Sequence, residues 1–222
     1  MKRWPLFLLP IWLVGCSLSD NLIEYPTTQV SPTRIIPYMH LAVGDSLAYG
    51  PAPREGSIDP NTNKTWFIAH VEETDVINGR TYYRVAHYPW AWDQQINVLL
   101  RQDEDGNIRA IFLSDSGNVA DSMESLLYKT SAKIGTTWDI HTPGDTMRFT
   151  LMSRSDTVKT YYGVFHNCLR VRFQSVWYAC DDHWLAPGVG IVKTDFETIA
   201  FPPIYTGPLD LKDLRLKSVS RR

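Results

Sequence analysis

The sequence is poor in several features that define large classes of protein. It holds only three cysteines among 222 residues, and its acidic and basic residues nearly balance, with a formal net charge of -2. A chain so close to neutral has no basic field that would steer it onto nucleic acid, so we expect no nucleic-acid partner. After the first fifteen residues it has no long apolar run, which excludes a polytopic protein built from membrane-spanning helices.

Motifs for catalysis and cofactor binding are also missing. There is no Gly-X-Ser-X-Gly nucleophile elbow, no glycine-rich phosphate loop that ends in Lys-Ser/Thr, and no Cys-X-X-Cys pair. The acidic run at residues 103–107 lacks the later bidentate Glu of a calcium loop and is better explained as a hairpin turn. The sequence therefore predicts no cofactor and no enzymatic activity, although a paired-carboxylate hydrolase would leave no local motif.

The N-terminus has the pattern of an export signal. Lys2 and Arg3 precede an apolar run, residues 4–14, that is too short to cross a bilayer comfortably. The tetrad Leu13-Val14-Gly15-Cys16 resembles the bacterial lipobox, in which a peptidase cuts before a cysteine that carries acyl chains such as palmitate. We expect a lipoprotein signal peptide over residues 1–15 and a membrane anchor on Cys16. The alternative, a buried N-terminal helix, is disfavoured by two prolines within the run.

The residues after Cys16 predict where the protein works. Residues 16–37, which become rich in Pro, Thr, Ser and Gln, have the composition of a lipidated tether, and residues 38–222 would form a single β-rich domain. Ser17, rather than Asp, follows the anchor cysteine. By analogy with enterobacterial sorting this favours the outer membrane. We expect a bacterial envelope protein that is anchored outside the cytoplasm.

The body of the chain has the pattern of strands joined by turns. Residues 64–77 and 80–88 are rich in aromatic and β-branched residues and flank Asn78-Gly79, the strongest short hairpin signal. A two-residue turn there places Glu73 opposite Arg84. Further strand patterns cover residues 97–102, 108–113, 146–160, 164–173 and 190–199.

Two segments of the body are ambiguous. Residues 119–128 are compatible with a weak helix or a loop, and residues 209–216 with a turn of helix or a strand. No strand-helix-strand alternation is present. The sequence therefore predicts a mostly β fold with little helix: an antiparallel sandwich, a barrel or a strongly bent sheet of about eight to ten strands built from hairpins.

The chain also resembles itself. Residues 42–49 and 133–140 share a pattern of an apolar residue, Gly, a polar pair and the start of a strand, and each is followed by a long hairpin. This gives a two-fold echo between residues 42–88 and 133–174. It indicates either an internal duplication or the general likeness of hairpins within one sheet.

Five motifs carry a resemblance to other proteins. In chain order they are Val-Gly-Asp-Ser (43–46), Asn-Gly-Arg-Thr-Tyr-Tyr-Arg-Val (78–85), Lys-Ile-Gly-Thr-Thr-Trp (133–138), Gly-Val-Phe-His-Asn-Cys-Leu-Arg-Val (163–171) and Leu-Ala-Pro-Gly-Val-Gly-Ile-Val-Lys (185–193). The set looks like uncharacterised bacterial lipoproteins and secreted β-rich proteins. The resemblance implies a fold and a location but no activity.

The cysteines and histidines provide the candidates for cross-links and metal ligands. If Cys16 is acylated, Cys168 and Cys180 remain as an even pair in an oxidising compartment. They could bond if the chain turns near residue 174 but not if it turns at Asp181-Asp182. His70 and His87 would face each other across the first hairpin. Two histidines make only half of a zinc site, so structural roles are favoured over metal binding.

The aromatic residues provide the last candidate site. The sequence has 8 Trp, 11 Tyr and 8 Phe, most of which a strand-rich core would use. The cluster of Tyr88, Trp90 and Trp92 could instead form an exposed platform for a ligand, a glycan or an envelope protein.

These observations favour a lipid-anchored protein with a non-enzymatic binding or envelope-structural role. The alternative is a carrier for a lipophilic ligand in a barrel-like cavity, and a hydrolase is a more distant third. A large apolar cavity would favour the carrier, whereas a filled interior would favour an interaction module.

Overall fold

A computed structural model describes residues 37–52, 65–89, 95–113, 123–142, 145–175, 180–196 and 209–217. These residues all belong to one compact unit, Pro32–Arg222. Cys16, Trp90 and Trp92 lie outside the described residues, as do the signal peptide and most of the tether. Within the described residues no helix is long and apolar enough to span a membrane.

The described chain is built entirely from antiparallel strands and turns. The strands are β1 (Ser46–Pro51), β2 (Phe67–Ile77), β3 (Arg80–Pro89), β4 (Gln95–Gln102), β5 (Ile108–Phe112), β6 (Ser125–Tyr128), β7 (Thr137–Thr142), β8 (Asp145–Lys159), β9 (Val164–Ser175), β10 (Cys180–Ala186), β11 (Gly190–Phe196) and β12 (Leu209–Arg215). The predicted mostly β class is confirmed. The count of eight to ten strands was too low, and both ambiguous segments contribute strands, β6 and β12.

The twelve strands form one sheet that nearly closes into a barrel. The order is β6-β5-β4-β3-β2-β1-β12-β11-β10-β9-β8-β7, so the first and last strands pair with each other. At the two edges, the indole Nε1 of Trp138 on β7 donates a hydrogen bond of 3.3 Å to the buried carbonyl of Leu127 on β6. A side-chain hydrogen bond therefore connects β6 and β7, whereas backbone ladders connect the other neighbouring strands.

The first six strands form a meander with a distinctive start. A turn ends at Asp45, where Gly44 N donates to Val71 O (2.8 Å) and Val71 N donates to Asp45 O (2.9 Å). Val71 then pairs with Val85, and a bulge follows before the next pair of the β2–β3 hairpin. Gly44 has a φ of +92°, a conformation that residues with a Cβ rarely adopt.

The last six strands repeat this plan. Gly135 N donates to Leu151 O (2.8 Å), and Leu151 N donates to Thr136 O (3.0 Å). Leu151 pairs with Val171, again with a bulge directly afterwards, and Gly135 has a φ of +84°. The two segments of the sequence echo therefore hold equivalent places in the two meanders.

The predicted hairpin turn at residues 78–79 is present, with positive φ at both Asn78 (+51°) and Gly79 (+75°), as a type I′ turn requires. Glu73 pairs with Arg84, as predicted, and Arg84 Nε lies 3.0 Å from Glu73 Oε1. The bulge after Val71 shifts the register beyond that point by one residue.

One end of the barrel is covered by the chain that leads into β1. Asp45, which is fully buried, accepts hydrogen bonds from His40 Nδ1 (2.6 Å), Ala42 N (2.9 Å) and Lys217 N (2.7 Å). One carboxylate thus ties the segment before β1 to the segment after β12. We call residues 37–41 the strap.

The strap rests on the turn between β10 and β11. Gly188 N donates a 2.7 Å hydrogen bond to Pro37 O, and Met39 forms a parallel bridge with Val189. Gly188 has a φ of +70°, so the Pro-Gly pair makes a tight turn, as expected for a corner of the sheet.

Candidate functional site

A stack of aromatic rings fills the barrel interior along the second meander. Trp138 stacks on Phe149 with ring centroids 5.7 Å apart, and Phe149 stacks on Phe173 at 5.4 Å. The ring of His183 meets Phe173 edge-on at 4.9 Å. These four rings span β7 to β10 and are almost fully buried, so they leave little free space in this half.

The first meander carries small side chains at the equivalent positions. Leu47 pairs with Ala69 across β1 and β2, in the register place where Trp138 pairs with Phe149 across β7 and β8. A methyl group therefore stands where the other half has a phenyl ring. The interior of this half is correspondingly less filled.

A small apolar cavity occupies that space. It measures about 30 Å³, room for one or two water molecules. Its walls include Tyr49, Ala69, Val71 and Tyr88 from the sheet, and the strap contributes Met39, His40 and Leu41. We call this space the strap pocket.

Met39 is the longest flexible apolar side chain among the strap residues that line the pocket. It is 8% exposed, and its Cγ lies 3.6 Å from the position that a Cβ would take on Gly190. Because Gly190 has no side chain, Met39 can lie directly on the backbone of β11. The strap pocket is thus roofed by a flexible, unbranched side chain.

Three tyrosine hydroxyls of the interior are engaged. Tyr49 donates to Ile191 O at 2.7 Å, and Tyr88 donates to the Tyr128 hydroxyl at 3.3 Å, which lies 2.7 Å from His183 Nδ1. Burial raises the pKa of all three phenols above the usual range, so they stay protonated at neutral pH. The two phenols that line the pocket therefore present ring carbon, not a free hydroxyl.

Two adjacent carboxyls on β10 have opposite environments. Asp181 is 1% exposed, its Oδ2 has no hydrogen-bond partner among the described residues, and burial raises its pKa to about 8. Asp182 points to the other face. Burial opposes its ionisation, but hydrogen bonds from Arg172 and Arg170 outweigh this and hold its pKa below the usual range. Asp181 is thus neutral at neutral pH, and Asp182 is an anion.

The structure separates the two candidate disulfide cysteines. Cys168 is a free, fully buried thiol whose pKa is raised by burial to about 11. The register places Cys180 opposite Gln174, and Gln174 lies six residues from Cys168 along β9. At about 3.3 Å per residue this is roughly 20 Å, too far for a disulfide. The chain follows neither of the two turns considered from the sequence, because β9 continues to Ser175 and Asp181 and Asp182 lie within β10.

The two histidines of the first hairpin are near each other but not opposite. Because of the bulge, His70 pairs with Ala86, and His87 takes a positive φ of +54°. Their ring centroids are 6.2 Å apart, and His70 Nε2 lies 3.2 Å from Glu72 Oε1. Within the described residues no group of three or more His, Cys, Asp or Glu side chains is arranged to hold a metal ion.

The predicted aromatic platform is described only at Tyr88. This residue is 3% exposed and faces the interior, so it contributes to the strap pocket and not to an outer surface. Its inward position was not apparent from the sequence, because the bulge between Val85 and Tyr88 changes which residues face the core.

Sequence reasoning also missed the residues that matter most for the pocket, Met39 and Ala69. Neither residue type carries a chemical signal. Their role depends on the comparison between the two meanders, which the sequence echo only outlined.

Comparisons with known proteins yield little. No family model matches the chain, and no curated protein matches it. Among solved structures, a candidate lipoprotein from Parabacteroides distasonis ATCC 8503 is similar, with 10% sequence identity and a TM-score of 0.42 over 82% of this chain and 100% of that chain. This similarity is too low to transfer fold or function.

Proposed function

We propose that this chain is a lipid-anchored lipoprotein of the bacterial envelope that works outside the cytoplasm in a non-enzymatic binding or structural role. The anchor is Cys16, at the end of a lipobox-like tetrad and a short apolar run that follows Lys2 and Arg3. The resemblance of five motifs to uncharacterised bacterial lipoproteins supports the same assignment.

The sealed interior is the observation that supports a non-enzymatic role. The groups with the most unusual acidities, Asp181 and the phenols of Tyr88 and Tyr128, are at most 3% exposed. A catalytic acid or base has to reach its substrate, usually within hydrogen-bond distance. In this conformation those groups contact only protein, and their shifted pKa values follow from burial.

The anchor is tested by the mass of the N-terminal peptide from protein purified out of membranes. We expect Cys16 as the first residue, with acyl chains attached. A Cys16→Ser variant should keep its signal peptide and lack the acyl mass. An unmodified Cys16 in the wild-type protein would disprove the anchor.

Placement in the outer membrane is a finer part of the proposal. Ser17 supports it by analogy with enterobacterial sorting. Membrane fractionation of the wild type against Ser17→Asp tests it: we expect the wild type with the outer membrane and the variant shifted to the inner one. Identical fractionation of the two proteins would argue against the sorting role of Ser17.

A carrier for a lipophilic ligand is the second candidate. The strap pocket favours it, because it is an apolar space inside a barrel. At about 30 Å³ it is far smaller than the several hundred Å³ of ordinary ligand sites, so a carrier role requires the strap to move.

A further inference from the structure

We propose that the strap pocket is a binding site for one unbranched hydrocarbon chain, such as the tail of a fatty acid, which enters by displacing Met39. The proposal rests on the binding role proposed above and names its ligand class. It concerns the folded body alone and does not depend on acylation of Cys16.

The lining determines what can enter. The sheet contributes aliphatic side chains, Ala69 and Val71 among them, together with the rings of Tyr49 and Tyr88. Both phenol hydroxyls already have acceptors. A polar group that entered would lose its hydration with no partner on these walls, so the part of the ligand inside must be apolar.

The shape of the roof determines that the ligand is unbranched. Met39 already places a linear chain of three methylene-sized groups and a methyl at this spot, in contact with the backbone at Gly190. An alkyl chain has nearly the same cross-section as a methionine side chain, so it can replace it in the same groove. A branched or polycyclic ligand is wider than a methionine side chain and would not fit the space that Met39 vacates.

The strap is attached in a way that permits displacement. Its hydrogen bond from Gly188 to Pro37 and its bridge between Met39 and Val189 are both at the β10–β11 turn. Asp45 binds the last part of the strap through His40, and it binds the chain that follows through Ala42 N and the chain after β12 through Lys217 N. Asp45 can therefore act as a fixed point from His40 onward while residues 37–39 open locally.

In the second meander, the place equivalent to the strap pocket is filled by a side chain of the protein itself. Phe149 occupies the register place of Ala69 and stacks on two neighbouring rings. A phenyl ring at Ala69 would fill the strap pocket in the same way. His40 of the strap is a polar side chain in the pocket lining and is 23% exposed, so a carboxylate head would remain beside it, towards solvent.

The test is binding of dodecanoic acid to the mature chain, residues 16–222, produced without its signal peptide so that Cys16 carries no acyl group. Titration calorimetry and native mass spectrometry would measure affinity and stoichiometry. We expect one molecule per chain. Met39→Ala should bind at least about threefold more tightly, because the roof no longer competes with the ligand.

Two further variants form a matched pair. Ala69→Phe should lose at least about tenfold in affinity by filling the pocket. Ile68→Phe, at the neighbouring and 48% exposed position on the outer face, should bind like the wild type. Circular dichroism would show that both variants are folded.

Three results would overturn the proposal. The first is the absence of binding to both the wild type and Met39→Ala at millimolar ligand. The second is unchanged affinity in a folded Ala69→Phe protein. The third is equal affinity for adamantane carboxylic acid, which would mean that the site does not select an unbranched chain. None of these outcomes bears on the anchor, which the mass of the Cys16 peptide tests separately.

Discussion

At the scale of single residues, the side chain of Asp45 joins segments that lie far apart in the sequence. Its buried carboxylate accepts from one side chain and two backbone amides, and it joins the two ends of the barrel chain. The Val-Gly-Asp-Ser motif thus has a physical explanation: Gly44 makes the turn with positive φ, and Asp45 closes it.

Replacing Asp45 should therefore be costly. Asp45→Ala leaves two part-buried amides and His40 without their acceptor, and we expect a loss of about 2–4 kcal/mol in the free energy of unfolding. Asp213→Ala is the control, since Asp213 forms an exposed ion pair with Arg215, and it should change stability by less than about 0.5 kcal/mol. Urea unfolding measures both. Equal effects would show that Asp45 has no special role.

Asp181 should make stability depend on pH. Its pKa is about 8 in the folded protein and near 3.8 in the unfolded chain, so between pH 4 and 8 only the unfolded state is ionised. Stability should fall as pH rises through this window, by up to about 1.4 kcal/mol per unit. Asp181→Asn removes this contribution, so the variant should match the wild type near pH 4 and exceed it at pH 8.

The comparison requires unfolding curves at pH 4, 6 and 8. Asp105→Asn, in an exposed turn, serves as the control and should follow the wild type at each pH. If the curves for Asp181→Asn and the wild type run parallel across the range, the buried carboxyl is not protonated in the folded state.

At the scale of elements, two tight turns start the two meanders, and each depends on a glycine. Gly135 and Gly163 both have open space where a Cβ would be placed, but only Gly135 has a positive φ, at +84°. Alanine substitutions at these two glycines therefore isolate the effect of backbone strain, because neither new Cβ would crowd a neighbouring atom.

We expect Gly135→Ala to lose about 1–2 kcal/mol of stability, because an L residue is strained at this φ. Gly163→Ala should be neutral or slightly stabilising, since it only reduces the freedom of the unfolded chain. Thermal and urea unfolding give both values. Similar losses in the two variants would contradict the assignment of strain to the turn.

The seam between β6 and β7 is the weakest junction of the described sheet. The Trp138 indole supplies a hydrogen bond to Leu127 there. Trp138→Phe keeps a ring in the aromatic stack but leaves that carbonyl without its donor, so we expect a loss of about 1 kcal/mol. Amide hydrogen exchange should also become faster in β6, while β12, which pairs along its length with β1, serves as an internal reference. Unchanged exchange in β6 would mean that the indole does not hold the seam.

The same elements show why some predictions succeeded and others failed. The hairpin at Asn78-Gly79 was predictable because turn type depends on the local residues. The pairing of His70 with His87 was wrong because a bulge, which has no clear sequence signal, shifts the register by one. Strand β10 was missed because Asp181 and Asp182 together look like a turn. Only the arginines on β9 and the closed barrel allow two carboxyls to be buried there.

At the scale of the whole molecule, the two meanders differ in how they fill a shared interior. The second is filled by its own rings, whereas the first leaves the strap pocket and relies on residues 37–41 to close it. The half with the smaller side chains is thus the half with room to bind a ligand, and the chain that closes it follows directly from the predicted tether.

By itself, the sequence determined the abundance of strands and the position of the hairpins, and it predicts an export signal, because each depends on residues that are close along the chain. The tertiary structure alone decided that β1 pairs with β12, that Cys168 and Cys180 lie far apart and that Tyr88 faces inward. It also decided that Ala69 borders a cavity while Phe149 fills one. Both are ordinary inward-facing strand residues, and the space beside them depends on side chains that approach from across the barrel.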